Sequence, residues 1–495
     1  MRNAPVSTQL RWIQDYPGLH REQAECAAPS SEDELRAVLR WAKAEGRTVT
    51  LRAGGQCLHG QSVGDDVVVD LSAFDQVSVD LSAGVVRAGA AARWADVFAA
   101  LPPGWVLPNL VTTGAASVGG TLVANAASRF SSAFGREADG VRRARLMTAD
   151  GTTIDCERGG AHANLLEALP GSVGMLGALL SVEHRLVDVR HLAASDGTLR
   201  VKTFARKHES VRSLLTDLAL ELRAPPSRMC PRGAYGVLIP GGEGLLFHSM
   251  YTREPRARRM PNHRRRDPLR VIVERMFHEP SLNRTLWKAI FALYYNDGDS
   301  FVDDAEDFAF FMDAGTTVRR HAARVGLSFS VVQQVLELPF DASAEAVEGA
   351  SALFEASAEL ARTHGVQPVG RDVIAIRGAS GRTHALRLAT AVALRGEADD
   401  AMMRAFLGAQ AKLGARHGAH VIPGKGVYAD ADTLATTMRD QLASLSRLKR
   451  RWDPSGLFGG PFYRRVLLPA MRRATDERTL AGRGRAVQAA SGGRL

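Results

Sequence analysis

Cysteine, lysine and long apolar runs are what this sequence has least of. Its four cysteines, Cys26, Cys57, Cys156 and Cys230, lie far apart in 495 residues and form no CxxC pair. That density excludes a disulfide-held secreted scaffold, and the spacing offers no zinc site. The four read as free thiols in a reducing, cytoplasmic compartment, with no metal expected. No run of about 18 apolar residues is present, so no transmembrane segment is predicted. The opening stretch MRNAPVSTQLRWIQDYPG has no apolar core of signal-peptide type. Two nucleotide signatures are missing as well. No GxGxxG follows a first strand and no GxxxxGKS/T occurs, which leaves a Rossmann dinucleotide unit and a hydrolytic P-loop without support. Only seven of the 63 basic residues are lysine, and the net charge of +10 is modest over this length. No zinc pattern or helix-turn-helix accompanies it, so no nucleic acid is expected as a partner.

What the sequence has in excess is glycine, 47 of 495 residues, against a usual share of about 7%. A chain of this length exceeds what one hydrophobic core holds. Residues 31–46 carry a helix start at Ser31 or Glu32, apolar positions Leu35, Val38, Leu39 and Trp41, and a stop at Gly46. Strands are predicted at 48–52, 67–71, 77–80 and 84–89, and a helix at 92–101. A hairpin spans 144–156 around Asp150-Gly151, and 176–192 is strand-like. The character changes near residue 195. Helical periodicity marks 201–222, 269–278, 282–295, 343–365, 398–418 and 431–452, with strands at 235–240, 244–250 and 328–339. The fold class is therefore α+β in two domains.

Three glycine clusters fall in the first part, at 52–61 (RAGGQCLHGQ), 113–120 (TGAASVGG) and 171–177 (GSVGMLG), each beside a strand. Successive amides in such turns form nests for anionic groups, and missing side chains let a flat ligand approach the backbone. Any one of them could be a plain tight turn; three together point to a cofactor.

These segments, with VVVDLSAFDQVSVD (67–80), VRAGAAARWADVFAAL (86–101), SVGGTLVANAASRFSSAFGREADGV (117–141) and GSVGMLGALLSVEHRL (171–186), resemble the FAD-binding domain of the PCMH-type flavoproteins, the vanillyl-alcohol oxidase superfamily. The resemblance implies a PCMH-type FAD-binding domain over 1–194 and an α+β substrate domain, the cap, over 195–445. It further implies a C-terminal return over 446–470 through WDPSGLF, and 471–495, rich in Arg, Ala and Gly, has the composition of a disordered tail. It places FAD against Arg52, Gly54, Gly55, Gln56, Cys57, Leu58, Gly60 and Gln61 of the first loop, and Thr112, Thr113, Gly114, Ser117, Gly119 and Gly120 of the second. Asn125, Ser128 and Gly135 of the signature follow, and Gly174, Gly177 and Leu179 complete the set. Many members carry a flavin-linking His in the first loop. Here that position is Gln56, which cannot form the bond, so FAD is expected to be non-covalent; Cys57 and His59 do not match the linking position.

The cap resembles the branch of the decaprenylphosphoryl-ribose 2′-epimerase flavoprotein and the sterol Δ24-reductase, through SFSVVQQVLELP (328–339), GAHVIPGKGVY (418–428) and the WDPSGLF ending. The resemblance sets Gln333 and Lys425 at the flavin pocket. By strand alternation Gln333 shares a face with Val335 and Glu337, and Gln334 points the other way. Lys425 is a candidate to steady an alkoxide or an anionic group, His420 a candidate base, Tyr428 a candidate hydroxyl in the pocket, and Tyr294 and Tyr295 candidate cap residues. The expected activity is that of an FAD-dependent oxidoreductase, a dehydrogenase or oxidase. It would take a hydride from an alcohol-like carbon of a sugar-like, lipid-linked or secondary-metabolite substrate and pass the electrons to O2 or another acceptor. An oxidative cyclase, a C=C reductase and a flavin-binding protein without catalysis are the alternatives. The arginine-rich run at 252–270 is either a solvated loop or a peripheral contact with anionic lipid or a carrier-linked substrate.

Overall fold

The computed structural model describes residues 4–109, 111–227, 229–239, 242–260, 279, 282–310, 330–379, 382–394 and 397–476. The predicted helix at 269–278 and residues 261–270 of the basic run lie outside them, as does 477–495. Three larger sheets organise the chain. The first orders its strands Thr8–Gln14, Arg21–Ala27, Val67–Asp70 and Val49–Arg52. Its N-terminal hairpin is antiparallel, and the last three strands run parallel. The second is wholly antiparallel, ordered Val77–Asp80, Val85–Gly89, Ala178–Arg185, Val141–Met147 and Thr153–Glu157.

The helix Glu32–Ala44 begins where Ser31 Oγ accepts from the Glu34 amide, and its first turn carries Glu32, Asp33 and Glu34 against the helix dipole. Leu35, Val38, Leu39 and Ala42, spaced at helical period, are all fully buried. They pack with Val49, Val67 and Val69 of the first sheet and with Met147, Ala178 and Leu180 of the second. Each such aliphatic side chain contributes about 1.5–3 kcal/mol. Leu457 and Phe458, almost three hundred residues later in the chain, complete this core. They are held by Asp453, whose carboxylate accepts from the Leu457 and Phe458 amides, and by Lys449, whose Nζ donates to Asp453, to Phe458 O and to Met175 O.

The eight-stranded antiparallel sheet of the cap runs Ser300–Asp304, Arg200–His208, Gly244–Thr252, Arg232–Leu238, Gly370–Ile376, Ala385–Leu394, Ser330–Pro339 and His420–Val421. One face is covered by helices Val211–Arg223 and Ala344–Thr363, through Leu214, Leu215, Leu218, Leu353 and Phe354. Gln334 lies on that face with no exposure, and its Nε2 donates to Leu407 O and Gln410 Oε1 of the helix Glu397–Arg416. Gln333, Val335 and Glu337 therefore occupy the opposite face, as alternation requires. That face is turned to the FAD-domain signature: a Cβ on Gly233 would lie 2.7 Å from Arg129 O, and Phe130 stacks on Tyr251 at 5.0 Å.

The structure differs from sequence expectation in several elements. Residues 201–208 belong to the strand Arg200–His208, and the helix starts only at Val211 behind its Ser210 cap. The strands Thr8–Gln14, Arg21–Ala27, Gly370–Ile376 and Ala385–Leu394 had no expected counterpart. The last of these is ALRLATAVAL, buried nearly throughout, so it lacks the alternation of a half-exposed strand. The long C-terminal helix breaks at Met438 into Ala431–Thr437 and Arg439–Trp452. The boundary at 470 cuts a helix, Leu468–Thr475, whose Ala470, Met471 and Ala474 are buried.

Candidate functional site

The three glycine clusters meet. Ser117 Oγ accepts from the Gly54 amide at 3.3 Å, and a Cβ on Gly54 would lie 3.1 Å from Ser117 N. The Gly171 and Val173 amides both donate to Val123 O, at the end of the short helix that the second cluster begins. Around that junction the backbone is forced into the left-handed region. Gly55 (φ 63) and Gly174 (φ 84) take it freely, whereas Val173 (φ 45) and Asn125 (φ 57) do so against their side chains. Strain of this kind persists where the surroundings over-determine it, and it gathers at ligand sites. The four consecutive amides of Gly55, Gln56, Cys57 and Leu58 donate to none of the described residues. They form a ready acceptor of anionic oxygen.

The other residues of these loops fall into two groups. Gln56 is exposed, its Nε2 3.4 Å from Gly54 O, and Thr112 and Thr113 are partly open. Gly120 is exposed and packs on Ser117 Oγ. The Asn125 Oδ1 is buried without a hydrogen-bond partner. The second group serves the scaffold. Arg52 reaches under its own loop to Ser62 O and Oγ. Cys57 Sγ lies 3.1 Å from Ser62 Oγ, and burial raises its pKa. Leu58 is half-buried. Gly60 leaves room for His20, Gly119 for Ala90, Gly135 for Asp139, and Gly177 for Met147 O. The Gly114 carbonyl accepts from Ala95 N. Ser128 is fully buried with its hydroxyl donating to Asn109 Oδ1, and Leu179 is a core residue of its strand. Gln61 joins two domains, since its Nε2 donates to Pro423 O at 2.9 Å and Lys425 O at 2.7 Å.

That contact sets the cap loop 423–426 against the cofactor loops. A Cβ on Gly424 would sit 2.4 Å from Ala124 Cα, and the Gly426 amide donates to Gln333 O at 2.7 Å. Lys425 is half-buried, with no ion-pair or hydrogen-bond partner for its ammonium among the described residues. Burial lowers its pKa to about 8, with the Arg387 charge acting in the same direction. Gln333 is half-buried on the same face. His420 pairs in register with Glu337, 3.9 Å from its Oε1, and burial lowers the imidazole pKa. Lys425 and His420 thus both adjoin the strand Ser330–Pro339, the first beside Gln333 and the second beside Glu337. Tyr428 points elsewhere: its ring meets His59 edge-on at 4.7 Å and lies under Arg404, and burial raises its hydroxyl pKa. His59 also meets the tilted ring of His20 at 4.8 Å, and burial brings its pKa down to about 3.

Sequence reasoning missed the charged residues of the cap face. Glu337 accepts from Arg387 Nε at 2.7 Å and from Arg136 Nη2 at 2.5 Å. Burial alone would raise its pKa, but the two arginines hold it down to about 2. The position of Glu337 two residues beyond Val335 was a usable signal, whereas Arg136 and Arg387 are distant in sequence. Asp372, Tyr235 and Arg129 form a second group on the same face. The C-terminal return adds Phe458, Gly460, Phe462 and Tyr463, which line a small pocket with Thr50, Leu51, Gln61, Val173 and Gly174. Tyr295 packs between Phe247 and Phe301. In the described part of the basic run, Arg256 pairs with Asp304 and Arg258 with Asp299. No metal-binding group of His, Cys, Asp or Glu occurs among the described residues, and no described helix is long and apolar enough to cross a membrane.

The free amides, the side-chain-free turns and the orphaned Asn125 oxygen fit a flavin dinucleotide with its diphosphate on the first loop. Residues 24–157 match the family model described as an FAD binding domain. Among curated proteins, the FAD-dependent monooxygenase FUP4 of Fusarium proliferatum is 28% identical over 189 residues, 36% of this chain and 34% of the relative. The FAD-linked oxidoreductase OXR1 of Pyricularia oryzae is 26% identical over 163 residues, 32% of each chain. The match thus spans about a third of these relatives' length. A solved variant of the Physcomitrella patens BBE-like 1 protein superposes with a TM-score of 0.63 at 15% identity, covering 92% of this chain and 96% of that one. Its fold is therefore shared over both domains. With its cofactor loops and its matched segment, the chain carries an FAD-binding domain over residues 24–157, set in a fold that it shares with the BBE-like 1 protein.

Proposed function

We propose that the protein is an FAD-dependent oxidoreductase that takes a hydride from an alcohol-like carbon of a small sugar-like or secondary-metabolite substrate. The placement of Lys425 carries this reading. An unpaired ammonium stands on a loop that Gln61 fastens to the cofactor domain and that the Gly426 amide fastens to Gln333. The relatives' printed names, oxidoreductase and monooxygenase, agree with redox chemistry on bound FAD. The Gly55–Leu58 amides would hold the diphosphate, and the Val173–Gly174 turn with Phe462 and Tyr463 would wall the cofactor from solvent. No imidazole stands at position 56, so the cofactor is held without a covalent bond.

Bound FAD supplies the acceptor for the two electrons of the substrate C–H bond. The residues of the chain do the rest. Lys425, protonated below pH about 8, binds the substrate oxygen as negative charge grows on it, in a setting where burial strengthens that attraction. Glu337 fixes Arg387 and Arg136, which keeps in place the buried Arg387 charge that acts on the lysine. Val335 and Ala389, in register on adjacent strands and both almost fully buried, give an apolar floor that excludes water. Anaerobic mixing of the FAD-loaded protein with a panel of sugars and phenolic or polyketide-like alcohols tests the reading. Bleaching of the flavin band by at least one class is expected. Prompt recovery in air would mark an oxidase, and recovery only on adding an acceptor dye would mark a dehydrogenase. A protein that binds FAD yet is bleached by none of these would overturn the activity.

A further inference from the structure

The helix-covered face of the cap sheet carries one row of polar side chains between two apolar rows. Arg371, Thr390 and Gln334 lie side by side in register on the strands Gly370–Ile376, Ala385–Leu394 and Ser330–Pro339. The row on one side holds Val392 and Val332, and the row on the other holds Val373, Leu388 and Leu336, all buried. Helices close over the polar row with Ser357 of Ala344–Thr363 and Gln410 of Glu397–Arg416. Arg371 is 6% exposed, and the other four polar residues are 1% exposed or less.

The two glutamines of this layer are already committed. Gln334 donates to Leu407 O and accepts from the Tyr428 amide, so backbone partners fix which end of its side chain points where. Its Nε2 also meets Gln410 Oε1, which turns the Gln410 Nε2 to Ser357 Oγ at 2.8 Å and Thr390 Oγ1 at 2.9 Å. Those two hydroxyls therefore accept from Gln410, and their own hydrogens go to none of the described residues.

Arg371 is the unbalanced member. Its Nη2 donates to Phe354 O at 2.5 Å, one helical turn from Ser357, while its buried Nε has no hydrogen-bond partner. No carboxylate among the described residues pairs with it. Burial lowers its pKa to about 10, so the guanidinium keeps its charge at neutral pH. An uncompensated charge between apolar rows is among the costliest burials in a fold.

We infer that this layer binds a small, singly charged anion of the chloride class, held by the Arg371 guanidinium and the Ser357 and Thr390 hydroxyls. The donors stand together. Thr390 is opposite Arg371, Ser357 is one turn from its carbonyl partner, and one Gln410 nitrogen joins the two hydroxyls. Charge selects the ligand, since one guanidinium calls for one negative charge. A water molecule would fill the hydrogen bonds and leave the charge uncompensated. The layer lies on the opposite face of the sheet from Gln333 and takes no part in the redox reading above. It still touches the cap loop, because Gln334 holds the Tyr428 amide.

Thermal unfolding of the FAD-loaded protein tests this at fixed sodium concentration, with chloride replacing the bulky anion gluconate. The melting temperature should rise with chloride and level off after about 2–4 °C, as for a ligand that binds only the folded chain. Bromide should substitute for chloride, and its anomalous signal in soaked crystals should lie against Arg371. Arg371→Met keeps an unbranched side chain and removes the charge. It should lose the chloride response and melt no lower than the parent in gluconate, because no uncompensated charge remains. Ser357→Ala keeps the charge and loses one donor, so its half-maximal response should need several-fold more chloride. A parent protein without a saturable chloride response overturns the site, as does an Arg371→Met variant that retains the response. Should that variant fail to fold, the Ser357→Ala midpoint decides: an unmoved midpoint also overturns it.

Discussion

The Gln61 side chain donates to the main-chain oxygens of both Pro423 and Lys425, at 2.9 and 2.7 Å. One amide thereby ties the loop with the free Gly55–Leu58 amides to the loop with the unpaired lysine. Its own Oε1 accepts from the His59 amide, which fixes the rotamer that makes the bridge. The two loops are held in one register by this single side chain.

Gln61→Ala removes three hydrogen bonds, each worth about 1 kcal/mol net. We expect FAD affinity, measured by quenching of flavin fluorescence, to weaken by about tenfold, with flavin reduction slowed as Lys425 loses its anchor. Unchanged affinity together with an unchanged reduction rate would mean that the bridge positions nothing.

Gly424→Ala should be worse. Its Cβ would lie 2.3 to 2.5 Å from the O, Cα and Cβ atoms of Ala124, and the main chain there cannot rotate aside as a side-chain end can. Overpacking of this kind costs about 1–3 kcal/mol. Thermal unfolding should show the loss, and limited proteolysis should cut the 423–428 segment that is protected in the parent protein.

Acid precipitation should release the yellow chromophore into the supernatant, because Gln56 offers no imidazole to the flavin. Flavin fluorescence that stays with the protein band on a denaturing gel would contradict this, and peptide mapping would then ask whether Cys57 or His59 carries it.

Lys425→Ala should leave FAD bound and slow its reduction by substrate by about 10²-fold, the scale for losing one preorganised stabiliser of developing charge. In the parent protein the ammonium is present below pH about 8 and is lost as pH rises through that value. The rate should therefore fall on the alkaline side, and the alanine variant should lack that limb. Stopped-flow reduction across pH 6–9 (a range of about three pH units chosen around this value) checks both.

Glu337→Gln leaves Arg136 and Arg387 buried with no counter-charge. Breaking such a pair costs about 3–5 kcal/mol, to be read from denaturant unfolding near neutral pH. The folded carboxyl lies near 2, below its ordinary 4.5. Its contribution is therefore complete above pH 4.5 and is lost as pH falls toward 2, so the gap between parent and variant should close in that acid window.

The legible parts share a physical character: they are local. The capped helix Glu32–Ala44, the hairpin at Asp150-Gly151 and the glycine turns announce themselves within a few residues, because caps and positive-φ turns depend on neighbours in sequence. The alternation that sets Gln333 against Gln334 was readable for the same reason. The strand Ala385–Leu394 was not, since burial on both faces erases the period that identifies a strand. Tyr428 was expected in the pocket from its nearness to Lys425, but three residues along an irregular loop do not fix a direction, and edge-on packing against His59 decided it.

From sequence alone came the cofactor class, the place of its loops, the two-domain α+β plan, the lysine on the cap loop and the loss of a linking imidazole at Gln56. Each rests on residue type at a position. Tertiary structure alone decided which charges meet. Glu337 finds Arg387 on the adjacent strand and Arg136 two hundred residues earlier, Asp372 finds Tyr235 and Arg129, and Phe462 and Tyr463 come back to the first domain's pocket. Antiparallel register and domain packing bring these groups together over long sequence separations, and no local pattern encodes such distances.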